Sequence, residues 1–150
     1  MRNPVLLISA FAFIALVSSG NVQAHAGDHR TLAELDAIIK KSPAEPALLV
    51  ARGALYSRSG QWDKAERDLR LAETLGNKED VAFEFGRLYY RRGDNQKALG
   101  YIDTYLGAYP KYPPAFLLRA RAAGEAEQFD IANESYYTYF SLSPDPPPGE

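Results

Sequence analysis

No cysteine occurs anywhere in the 150 residues. The chain therefore forms no disulfide, carries no thiolate nucleophile and offers no residue for lipid attachment behind an export signal. Histidine is nearly as scarce: His25 and His29 lie together in a short polar stretch near the start, and none follows. Beyond them no nucleophile, base and orienting group can be assembled, and no His/Cys metal cluster either. Charge of one sign is not in excess, with 17 Lys+Arg against 19 Asp+Glu, so nothing points to nucleic acid or to a membrane surface. Acid pairs such as Asp63 and Glu66 fall near the start of a helical pattern, where they compensate the helix dipole. There is no strand pattern to carry a glycine-rich phosphate loop. These absences argue against an enzyme and against a bound cofactor.

Long hydrophobic runs are limited to one. Val5 to Val17 is apolar except for Ser9, follows the positive Arg2, and leads through Ser18, Ser19, Gly20 and Asn21 to Val22-Gln23-Ala24. This is the pattern of a cleavable secretory signal over residues 1–24, and it is shorter than the roughly 20 residues of a membrane span. Cleavage after Ala24 or after Ala26 would release an exported domain without stable membrane insertion, and the bacterial periplasm is the expected compartment. Residues 25–30, HAGDHR, form a polar, flexible start. Cleavage after Ala24 would leave His25 with a free amine beside its imidazole and His29 close by, a nitrogen set suited to copper. Cleavage after Ala26 removes that set, and no other metal site is expected.

The rest of the chain repeats. Residues 79–110 carry apolar positions at helical spacing in two runs, Ala82, Phe85, Gly86 and Tyr89, then Ala98, Ile102 and Tyr105, with Gly93-Asp94 between them. That is a helical hairpin, stopped by Pro110. Ala65, Ala98 and Ala132 recur at offsets of 33 and 34, and the pattern follows them: Gly53, Gly86 and Ala120; Tyr56, Tyr89 and Ala123; Gly60, Gly93 and Glu127; Leu69, Ile102 and Tyr136. Gly53 and Gly86 lie inside helices, where glycine costs about 1 kcal/mol relative to alanine, so a close helix approach is expected at both. The third copy is the loosest, with Ala123, Gly124 and Glu127 where a tyrosine and a turn glycine would stand. Leu32, Leu35, Ile38 and Ile39 mark one further helical face ahead of the first copy.

At these residues the chain resembles the tetratricopeptide repeat (TPR) family, which stacks helical hairpins of about 34 residues. The resemblance implies an all-α, right-handed α-solenoid of three hairpins at residues 46–78, 79–112 and 113–146. One N-terminal capping helix lies within residues 25–45, and a loose tail covers residues 147–150. Gly53, Tyr56, Ala65, Gly86, Tyr89, Ala98, Ala120 and Ala132 are the structural positions.

The family's ligands, extended peptides or helices of other proteins, lie along the first helices of the hairpins. Carried over by register, that concave groove contains Arg58, Phe83, Arg87, Tyr90, Arg91, Leu117 and Arg121. Arginine grips carboxylates with two prongs, and the aromatics offer flat apolar platforms. The expected function is thus a non-enzymatic protein–protein interaction scaffold or adaptor of the cell envelope, holding a peptide segment with acidic or C-terminal carboxylate groups. An alternative rests on the last helix: Tyr136, Tyr137, Tyr139 and Phe140 offer a surface for self-association as a homodimer.

Overall fold

The computed structural model describes residues 31–76 and 78–143. The signal expected at residues 1–24, the histidines His25 and His29, and the tail expected at residues 147–150 lie outside them. Among the described residues there are seven helices and no strand: α1 (Leu32–Lys41), α2 (Pro46–Arg58), α3 (Trp62–Leu75), α4 (Lys78–Arg92), α5 (Asn95–Ala108), α6 (Pro113–Glu125) and α7 (Phe129–Leu142). Three hairpins, α2/α3, α4/α5 and α6/α7, stack behind the leading α1. The first helices touch along one side, α2 on α4 and α4 on α6, while α3 packs on α4 and α5 on α6. This is an all-α solenoid. No described helix is long and apolar enough to cross a membrane.

Local chemistry sets the helix limits. Thr31 and Glu34 form a reciprocal capping box at the start of α1, and Leu35 and Ile39, one turn apart, bury its inner face. Pro46 and Pro113 open α2 and α6, where a missing N–H leaves no bond unmade. Asp94 caps α5 by accepting from the Lys97 amide. Each hairpin turn is the same device: Gln61 N–H donates to Tyr56 O (2.9 Å), Asp94 N–H to Tyr89 O (2.9 Å) and Gln128 N–H to Ala123 O (2.8 Å). The residue before each donor is left-handed, Gly60 at φ 73°, Gly93 at φ 83° and Glu127 at φ 59°. The third turn therefore adopts the glycine geometry without a glycine, and α6 runs through Gly124 rather than ending there.

Inside each hairpin a small residue faces a large one. A methyl added at Gly86 would stand 2.7 Å from Ile102 Cγ1, and one at Gly53 would stand 3.1 Å from Leu69 Cδ2. In the third hairpin Ala120 already carries that methyl, and its counterpart Tyr136 is turned partly outward, 37% exposed. Ala65, Ala98 and Ala132 are buried, as are Tyr89 and Phe85. The Tyr89 hydroxyl donates to Glu66 Oε1 at 2.7 Å, and Tyr56 lies half-buried under Arg52 and Lys64.

Successive hairpins are joined by a second periodic contact that the repeat pattern did not reveal. Arg52 of α2 grips Asp68 with two prongs (2.6 and 2.8 Å) and reaches back to Asp36 of α1 (2.7 Å). Arg119 of α6 reaches back in the same way to Asp103 of α5 (2.7 Å) and bonds Ser135 (3.0 Å). Between them the register position holds Phe85, and here Arg70 of α3 reaches forward, its guanidinium 4.5 Å from the Phe85 ring centre. At each of these three junctions one arginine meets either a carboxylate or a ring.

Candidate functional site

Helix α4 is buried along most of its length, because α2, α3, α5 and α6 all pack on it. Arg87, Tyr90 and Arg91 are among the side chains that still reach solvent. A cleft of about 440 Å³ opens between α4 and α6. Phe83, Arg87, Tyr90 and Arg91 line it from α4, Tyr112 from the connecting loop, and Pro114, Leu117, Leu118 and Arg121 from α6.

The floor is aromatic and uncharged. Phe83 packs at 5.0 Å on Tyr105, the rings tilted by 33°, and edge-on at 5.4 Å against Tyr112. Burial, followed by the neighbouring tyrosines and acids, pushes the Tyr105 hydroxyl up to about 12. Burial raises Tyr112 as well, against the opposing pull of Arg87. Both rings are therefore neutral in ordinary buffers; Tyr105 backs Phe83 from within, and Tyr112 presents an apolar face with a polar tip to the cleft.

The walls carry the charge. Arg87 pairs with Glu84 at 3.1 Å and lies 5.9 Å from the Phe83 ring centre. Arg91 is different. Its guanidinium donates to Ser57 Oγ at 3.2 Å, and among the described residues no carboxylate is in ion-pair contact with it. Its pKa is lowered by burial first and then by Arg87 and Arg58, with Glu84 opposing. A cation in that position is short of negative charge. Tyr90 is fixed by donating to Glu125 Oε1 at 2.7 Å, and Asn95 holds the other oxygen of the same carboxylate at 3.3 Å. Burial, then Glu125, raises the Tyr90 hydroxyl.

Of the groove residues expected from the sequence, the structure brings Phe83, Arg87, Tyr90, Arg91, Leu117 and Arg121 to one cleft. Arg58 stands apart from its lining, exposed at the end of α2, yet close enough to Arg91 to depress it. By register Val50 and Ser57 fall on the same side of α2 as Arg58, and both are buried. Asp80 is occupied by the hydroxyl of Tyr109. Tyr112 was missed because it precedes α6 instead of belonging to a helix; its signal in the sequence is an aromatic directly before Pro113-Pro114. On α7 the expected association surface is corrected at one residue. Tyr139 is 7% exposed and packs inward, while Tyr136, Tyr137 and Phe140 face out. Among the described residues no group of three or more His, Asp or Glu could hold a metal ion.

With this geometry the similarity to known proteins can be placed. Over 78 residues, 51% of this chain, the sequence is 31% identical to the TPR repeat-containing protein YpiA of Bacillus subtilis (strain 168). The chain is similar to a tetratricopeptide-repeat protein. The match spans only 18% of that protein's length, so it bears on the repeat architecture rather than on the whole protein's role. No family model matches the chain.

Proposed function

We propose that this chain is a non-enzymatic protein–protein interaction scaffold that holds an extended, acidic peptide segment in the cleft between α4 and α6. The likeness to a TPR repeat-containing protein supports the scaffold role. One observation carries the ligand's chemistry: Arg91, half-buried on the cleft wall, is crowded by two other arginines and is in contact with no carboxylate among the described residues. A carboxylate entering the cleft would supply the missing charge with bidentate geometry, and Phe83, Tyr112, Leu117 and Leu118 would receive an apolar neighbour. Arg121 adds a further cation on the opposite wall.

The test is a titration of the full chain with a hexapeptide alternating leucine and glutamate, beside a control in which glutamine replaces glutamate. The glutamate peptide should bind at least about tenfold more tightly, a difference of about 1.4 kcal/mol, and should weaken as salt is raised. Arg87→Ala combined with Arg91→Ala should abolish both effects; Arg91→Met alone, which leaves the Arg87–Glu84 pair intact, should remove most of the preference. Equal binding of the two peptides, or unchanged affinity and salt dependence in the variants, would refute the reading.

We also assign the chain to the cell envelope as an exported, periplasmic protein, supported by the apolar run of Val5 to Val17 behind Arg2. N-terminal sequencing of the protein from its native host should find a start at His25 or Gly27. A start at His25 would leave the amine–imidazole pair with His29 available to copper, and retention of Met1 would overturn export with cleavage.

A further inference from the structure

The three junctions at which a helix meets the first helix of the following hairpin share one rule, and the outer face of α7 ends on its unfinished term. Residues 36, 70, 103 and 137 occupy the same register in α1, α3, α5 and α7. The first three reach forward to residues 52, 85 and 119 of the following helix, as Asp36–Arg52, Arg70–Phe85 and Asp103–Arg119. The fourth is Tyr137, 77% exposed. Around it Phe129 and Phe140 are also more than half exposed, and all three lie on one side of α7 at helical spacing. In α5 the residue in register with Phe140 is Leu106, which is partly buried and packed against the core where α6 follows. The aromatic face of α7 thus has the layout of a junction with no helix seated on it among the described residues.

The chemistry of the missing neighbour can be read from the edge of that face. Helix α7 carries Asp130 and Glu134 and no lysine or arginine. Arg119 touches Glu134 only at 3.8 Å and already serves Asp103 and Ser135. A ring at the junction position calls for the pairing seen at the second junction, a guanidinium over an aromatic face. Residues 144–150 bring Asp145 and Glu150 and no cation, so they do not supply the complementary charge.

We propose that the outer face of α7 is a second docking surface, built for a basic amphipathic helix that lays its apolar side on Phe129 and Phe140 and presents an arginine to Tyr137. The partner differs in sign from the acidic segment assigned to the cleft. The domain then joins two ligands of opposite charge through different faces.

A suitable probe is a helix-stapled synthetic peptide with the sequence of residues 46–59, since α2 is a first helix that already offers an arginine, Arg52, to the junction residue of the helix before it. Stapling removes the marginal helicity of so short a peptide. Titrated into the full chain, it should bind saturably and more weakly at high salt. Binding should fall about tenfold or more with Tyr137→Ser plus Phe140→Ser in the protein, and likewise with Arg52→Glu in the peptide. Arg87→Ala plus Arg91→Ala should leave it unchanged, which keeps this outcome separate from that of the cleft. No saturable binding, binding indifferent to the α7 substitutions, or binding indifferent to the peptide's arginine would overturn the proposal. So would sedimentation of the unmodified chain as a dimer that Phe140→Ser dissociates, since the occupant would then be a second copy.

Discussion

Alanine placed at three glycines of this array should give three different answers, because the same methyl meets three different surroundings. At Gly100, on the exposed side of α5, nothing lies within 4 Å of the added carbon. Gly100→Ala should therefore show the bare helix-propensity gain, a stabilisation of about 1 kcal/mol. At Gly53 the methyl would stand 3.1 Å from two carbons of Leu69 and 3.3 Å from the Ala65 carbonyl oxygen, so part of the gain is lost and the net change should be about zero. At Gly86 it would stand 2.7 Å from Ile102 Cγ1, and Ile102 is fully buried. At so short a contact the overpacking cost should lie in the upper part of its usual range, about 2–3 kcal/mol, and leave a net loss of about 1–2 kcal/mol after the propensity gain. Urea unfolding, followed by far-UV circular dichroism and by the fluorescence of the single tryptophan, Trp62, measures all three. The cause can be isolated with Ile102→Ala: in that background Gly86→Ala should become stabilising, a coupling of about 2–3 kcal/mol. If Gly86→Ala raises stability as much as Gly100→Ala does, the hairpin helices are not in the contact described, and the reason given for glycine at that position is wrong.

Other consequences can be checked in the same unfolding assay. Glu127→Gly should stabilise by about 1 kcal/mol, because the turn then adopts its left-handed conformation without strain; a loss would mean that the Glu127 side chain makes a contact worth more than the strain. Asp68→Ala leaves Arg52 with Asp36 alone and should cost about 3 kcal/mol, whereas Asp36→Ala, at an exposed partner, should cost under about 1 kcal/mol; equal costs would refute the two-pronged anchor. Tyr89, whose hydroxyl is pushed up to about 12 by burial and Glu66, holds its proton more tightly folded than unfolded. Its share of stability is complete below about pH 10 and is lost as pH rises towards 12, so Tyr89→Phe should flatten the decline in stability over that window. Arg91→Met keeps the stem and removes an ill-compensated cation, so it should raise the urea midpoint of the free protein while weakening the acidic probe; a lowered midpoint would show that Arg91 serves the fold instead.

The hairpins were legible because the seam between two helices is written in residue size and spacing. A buried alanine at 65, 98 and 132 and a glycine at 53 and 86 are demanded by backbone approach, and no partner elsewhere in the chain can change that demand. The groove was legible for a related reason: once register is known, Phe83, Arg87, Tyr90 and Arg91 of α4 fall on the side that meets α6. The arginine junctions were not legible, since Arg52, Phe85 and Arg119 share a position without sharing a chemistry, and only the structure shows that Arg70 supplies from the other side what Phe85 lacks. Tyr139 misled for the same reason. Read among its neighbours it belongs to an aromatic cluster, but it follows Ala72 and Tyr105 in register, and both of those are buried inside their hairpins. Aromatic content alone therefore does not mark a docking face on a repeat; register does, because it separates the residues that close a hairpin from those that meet the next one. By that criterion Tyr137 is the informative residue of α7, and its three predecessors each found a partner on the helix that followed.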